Sequence, residues 1–216
     1  MIFGKVPEPG RTKTRLAPVL GEEGAATLYE AFLEDVVDRC REVEAERELW
    51  VPRRPGAAAR LGRRFPGLTV RWQAGDDLGE RLRAAFGRAF GEGARRALVV
   101  GSDHPTLPGN LLARAFDALD EARAVVGATR DGGYYALALR ADAWPEGETL
   151  FRAVPWSTSR VLEATLQRAR EAGVQVARLP TWYDVDEPGE LERLLGDVRP
   201  GSATARALSE LGLGAG

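Results

Sequence analysis

Ala97-Leu98-Val99-Val100-Gly101-Ser102-Asp103-His104-Pro105 is the stretch that decides the fold. An unbroken apolar run belongs to a strand covered on both faces, whereas a half-solvated strand would alternate polar and apolar positions. The run ends in a carboxylate, and a carboxylate directly after a buried strand is costly unless it faces a cleft holding a cation or hydrogen-bond donors. Asp103 therefore reads as a ligand for a hard metal ion, Mg²⁺ or Mn²⁺, that bridges to phosphate oxygens. The competing reading is a cap for the next helix, although Pro105 and Pro108 push that helix start downstream.

Working outward, helices alternate with strands. Upstream, residues 22–45 place Leu28, Phe32, Val36, Cys40 and Val43 at steps of three and four, which predicts an amphipathic helix. A strand at 48–52, an arginine-rich helix at 57–65 and a strand at 68–73 follow. A helix running to about residue 92 carries Leu78, Leu82, Ala85, Phe86 and Phe90 on one side, with Asp76 or Asp77 as its N-cap. Downstream come a helix at 109–121, a strand at 124–128, the turn Asp131-Gly132-Gly133 and a strand at 134–140. The hydroxyls of Ser157, Thr158 and Ser159 are placed to cap a helix running to 172. A strand at 174–179, a long helix opened by Asp186-Glu187-Pro188 and a short helix after Gly201 complete the chain. This order predicts an α/β fold of three layers, α/β/α, around a mostly parallel mixed sheet. No repeat or linker interrupts it, so residues 1–216 are expected to form a single domain.

Composition excludes several function classes. Forty-four per cent hydrophobic content over 216 residues is enough for a full core, and a net charge of −2 supplies no field to attract nucleic acid. No apolar run reaches the length of a membrane span and no signal peptide precedes Gly4. Cys40 is the only cysteine, which rules out a disulfide framework or a cysteine zinc site and makes a reducing cytoplasm the expected location. The basic cluster Arg53, Arg54, Arg60, Arg63 and Arg64 reads as solvated surface, since Glu44, Glu46 and Glu48 lie just upstream. Composition carries nothing on oligomeric state.

Chemistry is expected in the loops that follow the strands, because ligands of open α/β sheets lie beyond the carboxyl ends of the strands. The first is Phe3-Gly4-Lys5-Val6-Pro7-Glu8-Pro9-Gly10-Arg11-Thr12-Lys13-Thr14-Arg15-Leu16. Of 30 basic residues only Lys5 and Lys13 are lysine, and both lie here. Five residues separate the two glycines and arginine follows the second, so this is neither a Walker A loop nor a dinucleotide fingerprint. It predicts an anion clamp of backbone N–H groups with Lys5, Arg11, Lys13 and Arg15. The others are the polar loop 73–81, Ser102-Asp103, and 183–186. There Asp184 and Asp186 are two apart, and Asp186 reads either as a metal ligand or as the N-cap before Glu187-Pro188. Asp131-Gly132-Gly133 reads either as a tight hairpin or as a close approach of backbone to an acceptor, with Asp131 on a hydroxyl. His104, the only histidine, neighbours Asp103 but has no second histidine and no nearby cysteine to work with as a base, and reads as a supporting or packing group.

Taken together, residues 3–16, Gly79-Glu80-Arg81-Leu82, Gly101-Ser102-Asp103-His104-Pro105, Asp131-Gly132-Gly133-Tyr134-Tyr135, Pro155-Trp156-Ser157-Thr158 and Tyr183-Asp184-Val185-Asp186-Glu187-Pro188 resemble one family over nearly the whole chain. It is the group of small bacterial transferases with a glycosyltransferase-A-type fold, also called radical-SAM/selenodomain-associated transferases. The chain departs from the usual pattern in a first strand reduced to Met1-Ile2-Phe3 and in His104, where cysteine is more usual. The resemblance implies a nucleotide-diphospho-sugar transferase fold, with a nucleotide-binding half to about residue 105, an acceptor half over about 106–200 and a tail at 201–216. It implies a divalent metal on Asp103 and Asp186, and nucleotide or phosphate contacts from Gly4, Lys5, Pro9, Gly10, Arg11, Lys13, Thr14, Arg15, Gly79, Arg81 and Ser102. The acceptor side would comprise Asp131, Gly132, Gly133, Tyr134, Trp156, Ser157 and Thr158, and Asp103, Lys13 and Asp131 would act in catalysis.

The expected function is transfer of a sugar from a nucleotide-diphospho-sugar to a small acceptor. The rival is nucleotidylyl transfer from a nucleoside triphosphate with release of pyrophosphate. A non-catalytic nucleotide-binding regulator is the reading from another class.

Overall fold

A computed structural model describes residues 1–213. In chain order it contains β1 (Ile2–Phe3), α1 (Ala17–Arg41), β2 (Glu48–Val51), α2 (Ala57–Arg64), β3 (Thr69–Trp72), α3 (Leu78–Gly91) and β4 (Arg96–Gly101). There follow α4 (Gly109–Ala118), β5 (Ala124–Thr129), β6 (Tyr134–Arg140), α5 (Val161–Glu171), β7 (Val176–Trp182), α6 (Leu191–Asp197) and α7 (Ala203–Glu210). The strands form one seven-stranded mixed sheet in the order β3-β2-β1-β4-β6-β5-β7. β1 pairs with β2 and β5 with β7 in parallel, while β6 runs against both β4 and β5. This is the expected α/β architecture with a mostly parallel mixed sheet. The buried run Ala97 to Val100 is the centre of β4, and the Asp131-Gly132-Gly133 turn joins the antiparallel pair β5 and β6 as a hairpin.

The chain divides into two compact units that interleave. One contains Ile2–Val70, Gly101–Gly109 and the chain from Asp184 onward; the other contains Met1, Arg71–Val100 and Asn110–Tyr183. The chain leaves the first unit after Val70 and returns to it twice. Of the tail expected over 201–216, residues 201–213 belong to the first unit, and the last three residues lie outside the described region.

The first unit is built on α1. Leu28, Phe32, Val36 and Cys40 are buried as the periodicity predicts, but the helix ends at Arg41, which leaves Val43 in the following turn. It also starts earlier than expected, at Ala17. Pro18 is tolerated in a first turn, where its missing N–H would be unpaired anyway, and Gly21 then breaks the helical path with φ +70° and ψ 166°. The periodicity does not announce Asp35, a carboxylate buried in α1. It accepts the N–H groups of Ala203 and Thr204, each at 2.9 Å, at the start of α7, which packs on α1. Ser202 caps the same terminus through Ala205 N at 3.1 Å.

In the second unit, Phe86, Phe90, Trp144 and Phe151 stack or tilt at centroid separations of 5.5 to 6.4 Å. α3 is capped by Asp77, which accepts from Glu80 N at 2.8 Å. α5 departs from expectation: it begins at Val161 after Arg160, with no side-chain cap. Thr158 spends its hydroxyl within its own turn, donating to the Pro155 carbonyl and accepting from Arg160 N. The long helix expected after Pro188 is a 3₁₀ turn, Pro188–Glu190, followed by the short α6.

Candidate functional site

The first unit gathers three of the four loops selected from the sequence: residues 4–15, residues 102–103 and residues 184–186. A backbone hydrogen bond from Val185 N to the Asp103 carbonyl, 3.0 Å, aligns the two acidic segments side by side. Asp103 and Asp186 then both turn an Oδ1 to the ammonium of Lys13. The ammonium is nearly inaccessible, with its side chain 2 % exposed, whereas the Asp103 and Asp186 side chains keep 31 % and 41 % exposure. Each carboxylate thus faces inward with one oxygen and outward with the rest.

Electrostatics follow from this packing. Burial alone would pull the Lys13 pKa down, but the charges of Asp103 and Asp186 outweigh it and hold the ammonium protonated well above the ordinary lysine range. Burial likewise pushes the Asp103 carboxyl up, and the Lys13 charge overrides it, so the group lies below its usual value. The ammonium also sits 5.9 Å from the centroid of the Tyr29 ring and 5.7 Å from that of Phe32.

Tyr29 is the group that sequence reading missed. It lies in the buried stripe of α1 and looks like core, yet its hydroxyl accepts the Lys5 N–H at 2.6 Å and shares a hydrogen with Ser102 Oγ at 2.7 Å. Burial, with Asp103 nearby, raises its pKa further above the usual phenol range, so it stays protonated. Gly4 lies against the same cluster: a Cβ there would stand 3.2 Å from the Tyr29 hydroxyl and 3.4 Å from Ser102 Oγ. Farther along the loop, the Thr12 hydroxyl donates to the Val6 carbonyl and accepts from Glu8 N, both at 3.1 Å, which closes residues 6–12 into a compact turn. Lys5, Pro9, Gly10, Arg11, Thr14 and Arg15 lie exposed on its outside, and Arg15 pairs with Glu187 at 3.1 Å. Lys13 therefore differs from the other cations of the loop by pointing inward.

The capping readings of the two aspartates are resolved by geometry. Asp103 lies well before α4 and caps nothing there. Glu187, not Asp186, is the N-cap of the 3₁₀ turn, in a reciprocal capping box with Glu190, whose carboxylate also accepts the Asp186 N–H at 2.6 Å. The Asp186 side chain is left for Lys13. As donors for a metal, two convergent carboxylates suit a hard cation that keeps water and takes ligand phosphate for its remaining positions. Among the described residues no cluster of three or more His, Cys, Asp or Glu side chains is placed to hold a metal.

The second unit holds the remaining residues. Around Trp156 gather Tyr134, edge-on at 6.5 Å between ring centroids, and Gly79, where a Cβ would lie 2.5 Å from the indole nitrogen. Gly79 thus serves close packing of α3 against Trp156. Arg81 closes its own loop, donating to the Gly75 and Asp76 carbonyls at 3.0 and 3.2 Å. Asp131 accepts from the Thr129 hydroxyl and from Gly133 N. Gly132 adopts φ +90° and comes so close to the Ser159 backbone that a Cβ would fall 2.0 Å from its carbonyl oxygen. Ser157 and Thr158 are exposed next to Trp156.

Comparison with known proteins agrees with this architecture. Residues 36–158 match the family described as an uncharacterized protein conserved in bacteria, DUF2064. No curated protein matches the chain. Among solved structures, the chain is similar to a proposed nucleotide-diphospho-sugar transferase from Desulfovibrio desulfuricans G20, with 31 % identity over 97 % of this chain and 93 % of that one and a TM-score of 0.89. It shares its fold with a 4-diphosphocytidyl-2C-methyl-D-erythritol synthase, at 14 % identity over 89 % and 93 % of the two chains and a TM-score of 0.59. It also shares it with Rv0371c of Mycobacterium tuberculosis H37Rv in complex with manganese, at 20 % identity over 91 % and 99 % and a TM-score of 0.53. No helix among the described residues is long and apolar enough to cross a membrane.

Proposed function

The chain belongs to the DUF2064 family of bacterial proteins, and from that premise, with the cluster of Lys13, Asp103 and Asp186, we propose that it is a metal-dependent transferase acting on a nucleotide-diphospho-sugar. The observation that carries this reading is the convergence of two partly exposed carboxylates on one cation position, beside a loop whose outer face presents Lys5, Arg11 and Arg15. The similarity to the Desulfovibrio protein supports the donor class, and the manganese complex of Rv0371c supports the metal.

In this reading Asp103 and Asp186 hold Mg²⁺ or Mn²⁺, which when bound supplies charge stabilisation to a departing diphosphate. Lys5, Arg11 and Arg15 bind and orient the donor's phosphates, and their charges oppose the negative charge that builds on the leaving group. Gly4, Pro9, Gly10, Thr14 and Ser102 shape the loop that presents them. In the second unit, Asp131, Gly132, Gly133, Tyr134, Trp156, Ser157 and Thr158 form a cluster assigned to a small acceptor, with Trp156 as an apolar platform and the exposed Ser157 hydroxyl as a hydrogen-bonding group.

The likeness to a diphosphocytidyl synthase favours one rival, nucleotidylyl transfer from a nucleoside triphosphate to a phosphorylated acceptor. Melting-temperature shifts with UDP-, GDP-, CDP-, ADP- and dTDP-sugars and the free nucleoside triphosphates, each with and without Mn²⁺, test both readings. A metal-dependent shift with a nucleotide sugar and release of nucleoside diphosphate on turnover is the expected result. Pyrophosphate release from a triphosphate would move the assignment to the rival, and absence of any metal-dependent shift would end both.

A further inference from the structure

A buried ammonium touching two carboxylates is a cation already seated in a cation site. Lys13 meets the inward oxygen of both Asp103 and Asp186, the same pair to which the preceding reading assigns the metal. Its backbone stands at φ +49°, a left-handed conformation that costs a non-glycine residue about 1–2 kcal/mol, and it lies in a run of turns before α1. Beyond the carboxylates, the ammonium lies near the weakly attracting rings of Tyr29 and Phe32. The fold thus holds this side chain inward chiefly through two charges that a divalent ion would satisfy better.

The charges show why. One ammonium between two carboxylates leaves a residual negative charge, whereas a divalent ion cancels both. Entry of the ion must, however, expel a lysine from the two carboxylates that compensate it, and the expelled ammonium needs an anion close by. The outer face of residues 4–15, where the proposed donor's phosphates would lie, provides that destination.

We infer that Lys13 is a resident counter-ion that occupies the metal's place in the ligand-free protein and is exchanged for it, swinging onto the ligand's phosphates as the metal takes the two carboxylates. The inference rests on the assignment of Asp103 and Asp186 as metal ligands. Its consequence is that metal and phosphate bind cooperatively, each raising the affinity for the other by the same factor. Metal alone meets a site closed by an internal cation.

Because Lys5 and Lys13 are the only lysines, protein carrying [15N]lysine gives two side-chain ammonium resonances, one exposed and one buried. Titration with Mg²⁺ plus inorganic pyrophosphate is expected to expose the Lys13 ammonium, speeding its proton exchange with water by about tenfold or more. In parallel, calorimetry with Mn²⁺ alone is expected to show Lys13→Met binding the ion about tenfold tighter than the unaltered protein. The inference is overturned if the Lys13 resonance is unchanged at metal saturation, or if both proteins bind Mn²⁺ equally; the metal assignment then survives. If neither protein binds Mn²⁺, with or without pyrophosphate, the metal assignment falls and the inference with it. Should Lys13→Met fail to fold, the labelled unaltered protein decides alone.

Discussion

The Lys13 ammonium and the Asp186 carboxylate are in direct contact across 173 positions of sequence, although one side chain is almost wholly buried and the other is not. Such asymmetry makes the effects of substitution unequal. Asp186→Asn leaves Asp103 on the ammonium, and Asp103→Asn leaves Asp186, so each single change should cost about 1 kcal/mol. Replacing both strands a buried charge, for which the penalty is about 3–5 kcal/mol. Urea denaturation should therefore show the double variant losing more stability than the sum of the singles; simple additivity would mean that the carboxylates do not share the ammonium.

Tyr29→Phe keeps the ring beneath Lys13 and removes only the hydroxyl bound to Lys5 N and Ser102 Oγ. A loss of about 1–3 kcal/mol is expected, the usual penalty for leaving buried polar groups unpaired. Amide hydrogen exchange at Lys5 should accelerate while that of the β5–β6 hairpin stays unchanged. Equal protection of Lys5 in both proteins would refute the anchoring role of Tyr29.

Gly79→Ala tests whether this glycine serves packing or ligand contact. The added methyl would meet the Trp156 indole nitrogen at 2.5 Å and the Phe151 carbonyl at 2.7 Å, so about 1–3 kcal/mol of destabilisation is expected. Nucleotide affinity of the folded variant should match that of the unaltered protein. A variant of normal stability with impaired nucleotide binding would return Gly79 to the phosphate site.

Cys40 sets the onset of alkaline destabilisation. Burial pushes its thiol up to about 11 from an ordinary 9.0, so the native chain retains a proton that the unfolded chain releases. Stability is unaffected below pH 9 and falls between pH 9 and 11, by at most about 1.4 kcal/mol per pH unit. Tyr135, pushed up to about 12 by burial, adds a loss of the same sign only above its ordinary 10.0. Cys40→Ala should remove the decline between pH 9 and 10 in chemical-denaturation profiles; an unaltered profile would show that the thiol is not its source.

Much of the fold was legible because single physical rules governed it. The apolar run in β4 demanded burial on both faces, and the stripe through Leu28, Phe32, Val36 and Cys40 demanded a helix, so neither depended on tertiary detail. Asp103 and Asp186 stood out for the same reason: carboxylates at strand ends need a partner. The identity of that partner was not legible. Four cations in one loop look alike in sequence, and it takes the tertiary placement of Asp103 and Asp186, beside the rings of Tyr29 and Phe32, to hold Lys13 inward while Lys5, Arg11 and Arg15 stay outside. Tyr29 was hidden because a tyrosine in an apolar stripe differs from a leucine only at its hydroxyl. The hydroxyls of 157–159 misled as caps because serine and threonine suit loops and caps equally, and the Pro155 carbonyl takes the Thr158 hydroxyl instead.

The hydrogen bond from Val185 N to the Asp103 carbonyl has a consequence for engineering. A backbone contact joins the two aspartate segments, which are remote in sequence, so their lengths are matched as tooth to socket. Grafting residues 101–109 from a relative without residues 184–190 would shift one aspartate against the other, whereas exchanging both segments together would carry the cation position over intact. The transplantable unit of this protein is a pair of peptides, not a domain.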